Sequence, residues 1–176
     1  AAPYLSVVIP AYQEAGRLAG NLRHVLEVLA AAGHDHEVLV VDDGSRDGTA
    51  ASLGNPLPPG VHLLRHERNL GKGAAVRTGV LASRGRWLLI TDADLSTPIE
   101  ELPKLLAARA TAPVVYGSRA VPGATLEVRQ ARRREVLGRG FNRLLRLLRL
   151  TELHDTQCGF KLLDGPLARE IFPAWR

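Results

Sequence analysis

The sequence predicts an α/β fold, a doubly wound layer in which a mostly parallel sheet is covered by helices on both faces. Three observations predict it. Short, wholly apolar runs alternate with amphipathic ones through the first 120 residues, the pattern of strands buried on both faces between crossover helices. The loops at 10–14, 42–45, 69–73 and 92–96 all follow such runs, which puts them on the carboxyl edge of the sheet, where ligands of open α/β sheets bind. The chain has 176 residues, 45% hydrophobic and 23% charged; these are the proportions of one ordinary domain and exclude disordered, collagen-like and disulfide-scaffold classes.

The elements follow in order. Residues 5–9 are apolar and β-branched and end at Pro10, a first strand. Residues 17–31 place Leu18, Leu22, Val25, Leu26 and Leu29 three and four apart, an amphipathic helix. Residues 38–41 form a second strand that ends in Asp42-Asp43-Gly44-Ser45, with a helix expected from Thr49. The strand at 61–64 precedes a glycine-bearing loop and a helix over 72–83; the strand at 87–91 leads into Asp92-Ala93-Asp94. Thr97 as N-cap, Pro98 at the first helical position and Glu100 three residues after the cap predict the next helix start. A strand at 114–117 follows, and residues 54–60, with three Pro, are a surface loop.

Asp92 and Asp94 stand two positions apart just beyond a strand, a spacing that lets both face Mg²⁺ or Mn²⁺ completed by water and phosphate oxygens. The same pair also suits a strand end followed by a turn. Asp42 and Asp43 share the edge, and convergence of all these carboxylates would call for cations. The run Asn69-Leu70-Gly71-Lys72-Gly73-Ala74 sets a lysine among glycines at a helix start, where N–H groups and a cation meet anions. It is neither a Walker A loop nor a dinucleotide fingerprint, because Gly73 and Val76 occupy the deciding positions. The six His show no metal spacing, Cys158 reads as a small buried residue, and no nucleophile elbow is present.

The charge is uneven. The chain carries +5, yet residues 126–150 alone hold eight Arg against Glu127 and Glu135, a net of +6. One basic segment asks for a local anionic partner: a phosphate, an anionic membrane or RNA. Arg143, Arg146 and Arg149 lie three apart between leucines, which on a helix suits either a membrane interface or a core helix with a solvated face. RNA binding would want stacking aromatics, and only Phe141 is nearby. No apolar run approaches the roughly 20 residues that cross a bilayer. The lone Cys158 fits a reducing compartment. A start without Met and an abrupt end at Trp175-Arg176 lead us to expect a piece of a longer protein.

In this order and spacing, SVVIPAYQEAGRL, VLVVDDGSRDGT, NLGKGAAVRTG, LLITDADLSTP and VVYGSRA resemble the family 2 glycosyltransferases of the GT-A fold. The tail DTQCGFKLL after an Arg-rich stretch is similar to the subgroup that transfers a sugar, glucose in its nearest branch, from a nucleotide to a polyprenyl phosphate. The resemblance implies one GT-A domain over 1–176, Rossmann-like in its sheet. Residues 1–120 would bind the nucleotide sugar, and 121–176 would supply a truncated acceptor part with a helix and a strand. It implies a nucleotide pocket lined by Pro10, Ala11, Tyr12 and Glu14, Asp42 and Asp43 near base and ribose, and Lys72 close by. Asp92, Ala93 and Asp94 would lie at the donor diphosphate, the two carboxylates holding the metal, and Arg119 would take the acceptor phosphate with Arg132, Arg133 or Arg134. Ser96 stands where related mannosyltransferases commonly carry Gln. The implied reaction is an inverting transfer at the cytoplasmic face of a membrane, with Asp94 and Arg119 as the principal catalytic residues and no nucleic acid involved. A GDP-mannose donor, a non-lipid acceptor, a phosphatase of the haloacid-dehalogenase type and an RNA-binding module are the alternatives.

Overall fold

The computed structural model describes residues 2–110, 112–117 and 158–174. The expectations on Arg119, Arg132, Arg133, Arg134 and the basic segment lie outside the described residues. Within them the order is β1 (Leu5–Ala11), α1 (Leu18–Ala32), β2 (His36–Asp42), β3 (Val61–Arg65), α2 (Lys72–Ala82), β4 (Trp87–Ile90), α3 (Leu102–Ala108), β5 (Val114–Tyr116), β6 (Lys161–Asp164) and α4 (Gly165–Ile171).

Six strands form one sheet in the order β3-β2-β1-β4-β6-β5. β1 to β4 run parallel, and β6 is antiparallel to both β4 and β5. The sheet is therefore completed by residues late in the chain, which bring Cys158 and Gly159 to the carboxyl end of β4. β1 runs past Pro10, where the sequence had it stop. Its pairing with β4 ends at Val8 opposite Ile90, so the missing N–H of Pro10 costs no ladder bond on that side.

Alternate residues of each central strand feed two apolar layers. Val7, Ile9, Val38 and Val40 pack with Leu18, Leu22, Val25 and Leu29 of α1 and with Leu102, Leu105 and Leu106 of α3. Val8, Leu39, Leu88 and Ile90 pack on the other face with Val76 and Val80 of α2, and with Ala168 and Phe172. Helices thus cover both faces, as predicted, and each fully buried Leu in these layers contributes on the order of 2–5 kcal/mol against truncation to Ala.

Two helix predictions are corrected. From Thr49 the chain makes only a single 3-10 turn, Ala51–Leu53, because Gly54 and Pro56 follow before a helix can propagate. Thr97 caps nothing: its hydroxyl lies 3.8 Å from Cys158 Sγ. Pro98 forces the residue before it towards extended backbone and is itself extended, so a 3-10 turn starts at Ile99 and α3 only at Leu102.

At the amino end of the sheet, buried Glu37 accepts from Ser6 Oγ at 2.6 Å and from the Arg84 amide and guanidinium at 2.7–2.9 Å. Ser6 Oγ in turn accepts from Gly85 N at 2.7 Å. Burial raises the Glu37 pKa, but these bonds and the Arg84 charge outweigh it and hold the carboxyl below its usual range.

Candidate active site

The carboxyl edge is built by the ends of β1, β2 and β4, and its loops are tied to one another through side chains. Ala11 lies opposite Asp42 in the β1–β2 register, and Asp43 N donates to Ala11 O at 2.8 Å. The loop after β1 is then stitched to the loop after β2. Gln13 N donates to Ser45 Oγ at 2.9 Å, Glu14 N to Thr49 Oγ1 at 2.8 Å and Ala15 N to Asp47 Oδ2 at 3.2 Å. The Thr49 hydroxyl leads these donors in holding the Asp47 carboxyl below its usual range. Tyr12 is left 45% exposed on the edge.

Glu14 grips Arg17 through both Nε and Nη2, the second bond at 2.9 Å. That hydrogen bond is the main reason the Arg17 pKa is raised; partial burial opposes it, and the charges of Glu14 and Asp94 add to it. The charge of Asp94 therefore reaches a guanidinium on the neighbouring loop. Asn21, on the first turn of α1, donates its Nδ2 to Ala93 O at 2.8 Å and so fixes the backbone between the two aspartates.

After β4 the chain turns tightly: Leu95 N donates to Asp92 O at 3.0 Å, and Leu95 takes a left-handed φ of 49°. Such a conformation costs a non-glycine residue about 1 kcal/mol or more. Asp92 pairs with the Lys72 ammonium, which α2 projects from its first residue. Asp94 Oδ1 accepts from Ser96 N at 3.0 Å and Ser96 Oγ at 2.7 Å. The other side of Asp92 is bounded by Gly159, where a Cβ would lie 2.2 Å from Oδ2.

The pair at the end of β2 behaves differently. Asp42 is fully buried; its Oδ1 accepts from Ser45 N at 2.9 Å, and its Oδ2 lies 3.2 Å from Arg65 Nε without hydrogen-bond alignment. Asp43 is committed to the protein through Leu70 N, Gly71 N and His66 Nδ1. Convergence of four carboxylates is thus corrected: among the described residues no three His, Cys, Asp or Glu side chains cluster to hold a metal ion. Asp43 is spent on loop backbone and His66, and Asp42 is fully buried with one oxygen taken by Ser45 N. What remains is Asp92 and Asp94, which fits Mg²⁺ or Mn²⁺ bound through one or two carboxylates and substrate phosphates. The Asp92 carboxylate packs directly against Gly159, a closeness that any Cβ there would forbid.

Both buried side-chain oxygens without a hydrogen bond among the described residues, Asp42 Oδ2 and Thr91 Oγ1, stand at this edge. Pro10, Ala11, Tyr12, Glu14, Asp42, Asp43, Lys72, Asp92, Ala93 and Asp94 all lie on or beside it. Sequence reasoning missed Arg17, Asn21, His66 and Gly159. Arg17 three residues after Glu14 was a legible signal; the other three depend on contacts 12 to 72 residues apart in the chain.

The family model for glycosyl transferase family 2 matches residues 6–172. The chain is 37% identical to a dolichyl-phosphate beta-glucosyltransferase of Trichomonas vaginalis, over 97% of this chain and 54% of the relative. It is 39% identical to the dolichyl-phosphate beta-glucosyltransferase of Drosophila melanogaster, over 96% of this chain and 56% of the relative. The chain therefore spans little more than half the length of the curated relatives it matches. Among solved structures, mannosyl-3-phosphoglycerate synthase from Rubrobacter xylanophilus superimposes with a TM-score of 0.70 at 23% identity, covering 94% of this chain and 54% of that one. Glucosyl-3-phosphoglycerate synthase from Mycobacterium tuberculosis, in complex with Mn²⁺ and UDP-glucose, gives 0.67 at 23% identity, with 94% and 57% covered. The ordered motifs, the mixed sheet and these matches agree: the chain belongs to glycosyl transferase family 2 and has the GT-A fold.

Proposed function

We propose that this chain carries the nucleotide-sugar-binding part, residues 1–120, and some of the acceptor part, residues 121–176, of an inverting glucosyltransferase that moves glucose from UDP-glucose to a dolichyl or other polyprenyl phosphate. The observation that carries the substrate assignment is the set of relatives named dolichyl-phosphate beta-glucosyltransferase, 33–39% identical over nearly the whole chain. The edge described above supplies chemistry to match. Pro10, Ala11, Tyr12 and Glu14 would line the nucleotide pocket, with Asp42 and Asp43 near the base and ribose.

Asp92 and Asp94 would hold Mg²⁺ or Mn²⁺, which supplies charge stabilisation to the leaving diphosphate. Lys72, already beside Asp92, would meet the same phosphates from the helix start. The Glu14–Arg17 pair would orient that side of the pocket. The nucleophile is an acceptor phosphate oxygen attacking the anomeric carbon as the nucleoside diphosphate departs. A phosphate monoester has its second pKa near 6 and is mostly dianionic at neutral pH, so no strong general base is needed. Two anions must still be brought together, and bidentate arginine contacts from Arg119 and one of Arg132, Arg133 and Arg134 would do this.

Among the described residues no helix is long and apolar enough to cross a membrane. The lipid acceptor of this reading would be met at the cytoplasmic face of a membrane, with Arg143, Arg146 and Arg149 contributing positive charge towards it. The test is a panel of sugar nucleotides, UDP-glucose and GDP-mannose included, with Mg²⁺ or Mn²⁺ and a polyprenyl phosphate, followed by product analysis. Lipid-linked glucose from UDP-glucose is the expected product; lipid-linked mannose from GDP-mannose alone would overturn the donor assignment.

A further inference from the structure

We infer that Asn21 is a positioning residue for the divalent cation. From the first turn of α1 it fixes the turn that presents Asp92 and Asp94, and it thereby sets how tightly the pair holds the ion. This rests on the reading, given above, of Asp92 and Asp94 as the metal carboxylates. Burial alternates through the turn. Asp92 is half-buried, Ala93 is 6% exposed and Asp94 is exposed, so the middle residue packs inward while its two neighbours reach the surface. Ala93 belongs to the same apolar layer as Leu18 and Leu22 of α1. Its carbonyl oxygen accepts Asn21 Nδ2 at 2.8 Å. The residue between the carboxylates is therefore held by α1 at its backbone as well as through its packing.

The helix turn that carries Asn21 is itself fixed. Arg17 N and Leu18 N donate to Glu14 O at 3.1 and 2.9 Å, and Asn21 N donates to Arg17 O at 3.0 Å. Glu14 N in turn donates to Thr49 Oγ1 at 2.8 Å. One turn further along α1, His24 Nε2 lies 2.7 Å from Glu100 Oε1, so the helix meets the segment after β4 a second time. Within that segment Leu95 holds a φ of 49° while its N–H donates to Asp92 O at 3.0 Å. A non-glycine residue stays in this region only where its surroundings hold it there, and the Asn21 bond is one such hold. A shift of Ala93 carries both carboxylates with it. Mg²⁺ demands near-ideal octahedral geometry, so even a small shift weakens binding.

The experiment uses the whole chain and two readouts: titration with Mn²⁺ in the presence of UDP, and amide exchange at Leu95. Asn21→Leu removes the donor at similar side-chain volume, and the better helix propensity of leucine offsets part of the lost hydrogen bond. The unfolding midpoint should therefore stay close to that of wild type. Mn²⁺ affinity should nevertheless fall on the order of five- to tenfold, the loss of one well-placed hydrogen bond, and exchange at Leu95 should quicken by a similar factor with the β1 and β2 amides unchanged. In an Asp94→Ala background the same substitution should cost little further affinity, because Asn21 acts through the pair. Asn21→Gln, which returns a carboxamide, should recover part of the affinity. A folded Asn21→Leu that binds Mn²⁺ as wild type does would overturn the positioning role. A loss just as large in Asp94→Ala, or one accompanied by faster exchange throughout β1 and β2, would make Asn21 merely structural and overturn it as well. Wild type that binds no Mn²⁺ with UDP, while Leu95 exchange still responds to Asn21→Leu, would instead overturn the metal reading of Asp92 and Asp94.

Discussion

Gly159 leaves a space that Asp92 uses. A Cβ at this position would lie 2.2 Å from Asp92 Oδ2 and 2.5 Å from Cγ, so Gly159→Ala must turn the carboxylate away or move the backbone. The predicted outcome is a loss of Mn²⁺ affinity in the presence of UDP of at least tenfold, read by titration, with little change in unfolding midpoint because the clash is with one movable side chain. Gly44→Ala differs, since its clash is with Arg68 and Asn69 backbone and its φ is positive. It should cost about 2 kcal/mol or more in chemical denaturation. At this scale the sequence told much about identity and little about use. Asp92 and Asp94 were legible from two positions of spacing after an apolar run. Asp42 and Asp43 look alike in the sequence, yet one carries an oxygen without a hydrogen bond and the other holds a loop. That difference arises from residues 65–71 folding back on β2, which no local pattern encodes.

Among the elements, strands and the two long helices were legible because their apolar period is strong and their neighbours cover both faces. Helix starts were not: Thr97-Pro98 carries the letters of a cap, but the turn is set by Pro98 and by the packing of Thr97 on Cys158. The junction of β1, β2 and the β4 entry depends on Glu37. Its carboxyl is held below its ordinary value of 4.5; burial works against this, and the Ser6 hydroxyl and Arg84 outweigh it. The sign follows from linkage: the unfolded chain takes up the proton first, so this stabilisation is complete above about pH 4.5 and lost as pH falls through the depressed folded value. Glu37→Gln should lower stability by about 1–3 kcal/mol at pH 7, since buried donors lose a charged acceptor. Urea unfolding at pH 7 and pH 3 should show the gap between variant and wild type narrowing at the lower pH.

For the whole molecule, the decisive feature is that β6 enters the sheet between β4 and β5. The edge that presents Asp92 is closed by Gly159, 67 positions later, so the first 120 residues do not stand apart from the C-terminal part. The sequence suggested a layer complete by residue 120, because an antiparallel strand arriving late leaves no periodic signal near its partners. Phe160, 1% exposed just before β6, anchors this closure. Phe160→Ala should cost about 3–5 kcal/mol and lower thermal stability in one cooperative transition, whereas two separate transitions would show independent halves. Binding of the chain to anionic vesicles should weaken when Arg143, Arg146 and Arg149 are changed to Ser. The central claim, that the carboxyl edge holds a sugar nucleotide through Asp92 and Asp94, is tested most directly by calorimetric titration of UDP-glucose with Mn²⁺ into wild type and Asp94→Ala. The account predicts saturable, Mn²⁺-dependent binding in wild type and affinity at least tenfold weaker in the variant; equal affinity in the two folded proteins would contradict it.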